Sequence, residues 1–274
     1  MPEQARRSER ATDLSRWTAS PRWYLWDGGF LALGKSEGVV PPHSHHAIQI
    51  VIAIEGTMAV KPTDGDWREG RGVIVRQDAE HAYNGNSASG AMLFVDPESN
   101  EGVWLRTSLV EEITLVPDAR MMPCITAIRT FLEQPYESME IRELIQHCVL
   151  SLCAGAPPAR RPDERVSRVI DAIAASEDLR ISLEDAAKMA FLSPSRFAHL
   201  FKKQVGLPFR RYILWRKLTR AMLAIGRERT IAAAAQASDF ADAAHLTRTF
   251  YQMFGIPPSV MMRGEFFEIA SPFS

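Results

Sequence analysis

The chain carries one short design twice, 49 residues apart. "SPSRFAHLFKKQVGLP" (193 to 208) returns as "DAAHLTRTFYQMFGIP". Laid over each other, Phe191 meets Phe240, Ser193 meets Asp242, Phe197 meets Leu246 and Phe201 meets Phe250. At the end of the block, Val205-Gly206-Leu207-Pro208 meets Phe254-Gly255-Ile256-Pro257. Each copy starts on a helix-capping side chain, runs with apolar residues at three- and four-residue spacing, and stops at Gly-x-Pro. A fold for this chain has to hold two copies of a helical unit and a spacer between them.

The first copy sets Phe197, Leu200, Phe201 and Val205 on its inner stripe and leaves Ser195, Arg196, His199, Lys202 and Lys203 outside. "FRRYILWRKLTRAMLAIG" between the copies reads as one long helix, striped by Ile213, Leu214, Leu218 and Met222, with Gly226 as its expected C-cap. Upstream, "ERVSRVIDAIAAS" and "SLEDAAKMA" read as helices, the second capped by Ser182 with Asp185 three residues on. A short helix, a turn and a second helix with an exposed basic row make a helix-turn-helix, whose second helix fits the major groove of double-stranded DNA. The two copies also repeat their exposed chemistry, Arg196 and His199 in one against His245 and Arg248 in the other, both able to donate to base edges.

Charge divides the same way. Residues 159 to 274 hold 18 Lys and Arg against 12 Asp and Glu, a net of +6. Residues 1 to 158 hold the remaining 14 against 21, a net of −7. A basic half beside an acidic half fits one half meeting a polyanion. The longest apolar run, Ala47 to Ile54, is too short to span a bilayer, and the charged first residues lack a signal-peptide pattern. Three cysteines, Cys124, Cys148 and Cys153, cannot all pair within the chain, which suits a reducing cytoplasm.

Residues 164 to 265 resemble the DNA-binding domain of AraC/XylS-type transcription regulators, on "SPSRFAHLFKKQVGLPFRRYI" and "ASDFADAAHLTRTFYQMFGIPPS". The resemblance implies two helix-turn-helix units reading adjacent major grooves. It places Ser195, Arg196 and His199 at bases in the first unit and Ala243, Ala244, Thr247 and Arg248 in the second, with His245 close by. Lys202 and Lys203 are read as phosphate contacts. Asp239 stands where the family usually has glycine, and Ala243 and Ala244 offer bases only apolar contact.

The N-terminal half reads as β structure. "HHAIQIVIAIEGTMAV" and "GRGVIV" are rich in β-branched residues, and turn signals recur at Glu55-Gly56, Asp64-Gly65, Glu69-Gly70 and Asn84-Gly85, favouring a small antiparallel barrel or sandwich. In "PPHSHHAIQIVIAIEG" the alternation puts His43, His45 and Gln49 on one face and His46 on the other. "GRGVIVRQDAEHAY" brings His81 to the end of another strand. These stretches resemble the two cupin motifs, with Gln49 at the glutamate position and the second motif's Pro and Gly replaced around Arg76 to Asp78. Two readings stand: a metal-free effector pocket, or a low-charge site for Zn, Fe, Mn or Ni. Trp23, Trp26 and Trp104 are candidate walls of the pocket.

"MMPCITAIRTFLEQ" and "MEIRELIQHCVLSLCAG" read as two helices, striped by Ile125, Ile128, Phe131, Leu132 and by Ile141, Leu144, Ile145, Cys148, Leu152. The resemblance implies dimerisation there, the favoured reading; the stripes could instead pack on the chain's own barrel. "APPARRPDE" (156 to 164) reads as a linker. The expected whole is α+β: a cupin-like antiparallel sensor barrel (1–115), helices for dimerisation and linkage (116–158), and an all-α double helix-turn-helix domain (159–274). Its expected work is sequence-specific transcription regulation in the cytoplasm, without catalysis and with no cofactor required. The expected partners are double-stranded DNA, a small effector and a second copy, with RNA polymerase a further candidate. The reading of another class is a metal-dependent cupin enzyme with a vestigial DNA-binding tail.

Overall fold

The computed structural model describes residues 21–26, 28–36, 38–133, 138–153, 163–176 and 178–269, with backbone only at 132, 133, 138–140 and 266–268. Most of the "APPARRPDE" linker lies outside the described residues.

Two sheets form the N-terminal half. One has the order β10-β7-β4-β9-β2-β1-β11, the other β3-β8-β5-β6. The strands are β1 (Arg22–Trp26), β2 (Gly29–Lys35), β3 (Val39–His43), β4 (Ile48–Glu55), β5 (Met58–Pro62), β6 (Arg68–Gly70), β7 (Gly72–Val75), β8 (His81–Asn84), β9 (Ser89–Val95), β10 (Ile113–Leu115) and β11 (Glu265–Glu268). β4 lies between β7 and β9, antiparallel to both. Its near-continuous apolar run is explained by burial on both faces. Val51 and Ala53 point into the barrel, while Ile48, Ile50 and Ile52 point outward.

The outward face of the large sheet is covered by α1 (Asn100–Ser108), α2 (Asp118–Glu133) and α3 (Ser138–Cys153). Ile125, Ile128 and Phe131 of α2 and Ile141, Leu144, Ile145, Cys148 and Leu152 of α3 are buried against Ile48, Ile50, Ile52, Leu93 and Val95. Of the two readings of this stripe, the one seen within the chain is packing on its own sheet, whose outer isoleucines and leucines would otherwise face water. The outer surface keeps Met122, Leu150 and His147 beside polar neighbours.

The C-terminal half holds α4 (Glu164–Ala175), α5 (Leu183–Met189), α6 (Pro194–Val205), α7 (Phe209–Glu228), α8 (Ile231–Ala237) and α9 (Ala243–Phe254), then a 3-10 turn, Pro258–Arg263. The caps follow the sequence. Ser182, Ser193 and Asp242 accept from the backbone N–H of Asp185, Arg196 and His245, and Gly206 and Gly255 end α6 and α9 in the left-handed region. α7 does not stop at Gly226. It runs on to Glu228, and Arg229 takes the left-handed turn, its guanidinium donating to the Met262 and Gly264 carbonyls. Those bonds hold in Arg229 a conformation that glycine would supply more easily.

The two helical units differ in what their far ends pack against. Phe197, Phe201 and Val205 of α6 share a local core with α4, α5 and the first turns of α7. Phe250, Phe254 and Ile256 of the second unit instead join the interior of the barrel, together with Trp215 and Met222 of α7. After the second unit the chain returns to the barrel, where β11 pairs in parallel with β1, Trp23 opposite Phe266. A division at residue 159 therefore separates sequence more cleanly than it separates space.

Candidate effector pocket and DNA-reading surface

At the barrel mouth, His43 closes β3, His45 follows in the loop, and Gln49 sits on β4. His81 opens β8 rather than ending β7, because residues 76–80 turn between them. One ring nitrogen from each of the three histidines lies within 4.8 Å of the others. All three Nδ1 atoms face a backbone carbonyl: His43 to Pro41 at 2.9 Å, His45 to Ala47 at 3.0 Å and His81 to Ala79 at 2.9 Å. A carbonyl only accepts, so each Nδ1 carries the hydrogen and each neutral ring keeps Nε2 as an acceptor. Burial is the main force holding all three rings neutral, and it brings His43 down to about 3.

The side-chain amide of Gln49 stands between two of those acceptors, with Oε1 3.1 Å from His45 Nε2 and 2.9 Å from His81 Nε2. Two acceptor nitrogens and a carbonyl oxygen cannot bond one another. Turned through a half-rotation, the amide offers both hydrogens of its NH2 to the two rings. A glutamate could not do this. The donor set can also be weighed as a metal site. Anchored Nδ1 atoms are how ligating imidazoles are usually oriented, but no carboxylate among these four residues offsets a cation's charge.

Above the histidines lies a cavity of about 30 Å³. Phe30, Phe94, Tyr83, Met92 and Trp23 come from the barrel, whereas Phe250, Phe254, Ile256 and Met222 come from α9, the turn after it and α7. Trp26 and Trp104 belong to the outer layer instead. Phe254 stacks at 5.7 Å on His45, and Gly255 lies so close to β3 that an added Cβ would be 2.5 Å from Val40 Cγ1 and 3.1 Å from His43 Nδ1. Sequence reasoning missed this roof. The signal was in the overlay, where Val205 of the first copy becomes the larger Phe254 in the second.

His46 points away from the pocket into a charged network, buried at Glu98 and open to water at Asp78. Its Nδ1 is 3.1 Å from Asp78 Oδ2 and its Nε2 3.1 Å from Glu98 Oε2. Both ring nitrogens thus donate, which requires the imidazolium. Burial opposes that charge, but Glu98 and Asp78 outweigh it and hold the pKa at about 10. Burial pushes Glu98 itself up to about 7 against the pull of His46. Beside them Asp96 Oδ2 pairs with Arg216 of α7 at 3.3 Å, both almost fully buried. Arg106 of α1 donates to the Gln204 carbonyl near the end of α6 at 3.2 Å.

Both raised pKa values favour the protonated folded state. The contribution of Glu98 is whole below about 4.5 and lost by about 7. That of His46 is whole below about 6.5 and lost as the pH rises through about 10. Urea unfolding should therefore show a lower midpoint at pH 9.5 than at pH 6, with His46→Gln reducing the difference. An equal midpoint at both pH values in the native sequence would contradict the network.

Ser195, Arg196, His199, Lys202 and Lys203 are exposed on one side of α6. On α9, Ala244 and Arg248 are exposed and Ala243 and Thr247 half-buried, with the Thr247 hydroxyl turned back to the Ala243 carbonyl at 2.7 Å. His245 packs edge-on against Phe240 at 5.1 Å and so is partly spent on the unit's own turn. Asp239 takes a left-handed φ of 58°, as Phe191 does at 54° in the first turn. This explains why a glycine would suit position 239.

The family model described as a helix-turn-helix domain matches residues 186–264. The C-terminal half holds an AraC-type helix-turn-helix domain. A probable transcriptional regulator, LumQ of Photobacterium leiognathi, is 23% identical over 227 residues, 79% of this chain and 90% of its own. Among solved structures, an apo form of ToxT from Vibrio cholerae superposes with a TM-score of 0.60 at 10% identity, over 86% of this chain and 97% of that one. ToxT with an unsaturated fatty acid bound gives 0.56 at 10% identity, over 86% and 93%. The arrangement of two sheets, covering helices and helix-turn-helix domain is thus a ToxT-like fold, and none of the described helices is long and apolar enough to cross a membrane.

Proposed function

We propose that this chain is a one-component transcription regulator acting in the cytoplasm, in which a small effector at the barrel mouth controls how the two helix-turn-helix units sit on DNA. The observation that carries this is the shared core: Phe250 and Phe254 of the second DNA-reading helix line the same cavity as Phe30, Phe94 and His43 of the barrel. A ligand that changes this cavity must act on the helix-turn-helix domain, which is the differential contact that coupling between sites requires. No catalytic role is assigned to the barrel, and no resident metal, since the Gln49 amide can complete the histidine trio without one. RNA polymerase is the partner an activator would need. A homodimer no longer draws support from the α2 and α3 stripe, and sedimentation of the free chain decides it.

Ser195, Arg196 and His199 are the proposed base contacts of the first unit, and Ala243, Ala244, Thr247 and Arg248 those of the second, with Lys202 and Lys203 on phosphates. In fluorescence anisotropy on duplex DNA from upstream of the coding region, Arg196→Ala and His199→Ala should each cost about 1–3 kcal/mol on the preferred site and relax sequence preference. Ala243→Ser should do much less, and Lys202→Ala should mainly flatten the salt dependence. Equally sharp footprints for all of the first three variants would overturn the assignment.

A further inference from the structure

The polar chemistry of the cavity narrows what it can hold. Among the described residues, no Lys, Arg, Asp or Glu lines it. A carboxylate entering it would lose its water with no cation in return, a cost that apolar burial does not offset. His43 does not supply the cation: its ring is buried against His45 and His81, and its Nδ1 faces the Pro41 carbonyl. What the wall offers instead is an acceptor. The Nδ1 hydrogen of His43 is committed to the Pro41 carbonyl, and among the described residues its Nε2 has no hydrogen-bond partner. The corresponding atoms of His45 and His81 are engaged with Gln49. The remaining walls are aromatic, thioether and aliphatic, with Phe30 and Phe94 stacked at 4.2 Å and Phe254 edge-on to both.

We propose, resting on the reading of the chain as an effector-controlled regulator, that the cavity takes an uncharged aromatic ring carrying one hydroxyl or N–H donor, the donor bonded to His43 Nε2 and the ring among Phe30, Phe94 and Phe254. The ligand class therefore differs from the fatty acid bound by ToxT. Size adds a second consequence. The cavity measures about 30 Å³, against roughly 150 Å³ for a cavity that admits benzene. The barrel walls are strand-borne and paired on both sides at β2, β4 and β9, so the room has to come from the roof. Seating the ring lifts Phe254 and Gly255 from His43 and Val40 and loosens the second DNA-reading unit. By linkage, DNA that holds that unit away from the barrel strengthens ligand binding by the same factor.

The test is isothermal titration of the full chain with four probes: p-cresol, 4-methylanisole, toluene and benzoate. p-Cresol is expected to bind at least about tenfold more tightly than toluene, the worth of one buried hydrogen bond. 4-Methylanisole, which keeps the ring and loses the donor, should fall back to the toluene level, and benzoate should not bind. His43→Leu should abolish the difference between p-cresol and toluene while keeping toluene binding; the ligand-side comparison stands even where that variant fails to fold. Benzoate binding as tightly as p-cresol, a p-cresol preference surviving in folded His43→Leu, no binding of any probe, or one tightly held metal per chain on elemental analysis would overturn the proposal. Anisotropy on duplex DNA is read separately: loss of site preference there, with the titration pattern intact, would sink the regulator and leave the ligand site standing.

Discussion

Replacing Phe254 with alanine is expected to lower the stability of the chain by about 3–5 kcal/mol, the range for deleting a fully enclosed aromatic side chain. The ring lies 4.8 Å from Phe250, 5.7 Å from His45, 5.8 Å from Phe94, 5.9 Å from Phe30 and 6.2 Å from Trp215. Those partners come from α9 itself, the barrel strands, the loop after β3 and α7, and no single neighbour can move to fill the space. The result would be read as a fall in the urea midpoint by tryptophan fluorescence. Val205→Ala, at the matching place in the first unit, should cost less, because a smaller side chain leaves and a local helical core absorbs the change. A loss under about 1 kcal/mol at Phe254 would mean that the second unit does not share the barrel's core, and the coupling argument would fall with it.

Arg216→Met is expected to cost a similar amount, about 3–5 kcal/mol, by a different route. Asp96 is buried, its carboxylate held below the usual range despite burial because a side-chain hydrogen bond with Glu98, then the charges of Arg216 and His46 and the Glu98 backbone N–H, favour the charge. Removing the guanidinium takes away the cation paired directly with that buried charge and leaves only His46 and the Glu98 hydrogen bonds to offset it, which is the costly way to break a buried pair. Asp96→Asn combined with Arg216→Met should recover most of the loss, since the charge and its partner then leave together. Asn also keeps the oxygen that accepts the Glu98 N–H. A double-mutant cycle in urea measures the coupling. If the two single variants simply added, the pair would not be a functional contact between barrel and α7. DNA affinity should change in Arg216→Met as well, because α7 spaces the two DNA-reading units.

How much of this could be read from the sequence depends on the range of the interaction. The repeat, the Ser182, Ser193 and Asp242 caps and the inner stripe of α6 are local patterns, and the sequence carries them in full. The meeting of His43, His45, Gln49 and His81 is read from alternation within one strand plus a resemblance; the four do meet, but His43 ends β3, His45 lies in the loop, Gln49 is on β4 and His81 comes one strand later than read. What stayed hidden needs pairs far apart in the chain. Asp96 and Arg216 are 120 residues apart, and neither neighbourhood hints at the other. The α2 and α3 stripe states only that an apolar surface exists; whether a second copy or the chain's own sheet covers it depends on whether β4 is buried on both faces. Gly226 is a further case, since a good C-cap residue was passed over for Arg229 once the Met262 and Gly264 carbonyls were in reach.

The parallel pairing of β11 with β1 ties the helix-turn-helix domain to the barrel on its downstream side, so the domain behaves as an insert held at both ends rather than a flag on a string. Its travel is bounded: the second unit can tilt away from the barrel mouth only as far as the few residues between Ile256 and Glu265 allow. A chain cut after Gly264 would free that swing and at the same time bare the edge of β1, an unpaired row of backbone donors and acceptors that invites strands from other molecules. Shortened versions of this protein should therefore pair solubility loss with release of the DNA-reading half, two outcomes that separate only when the edge strand is kept.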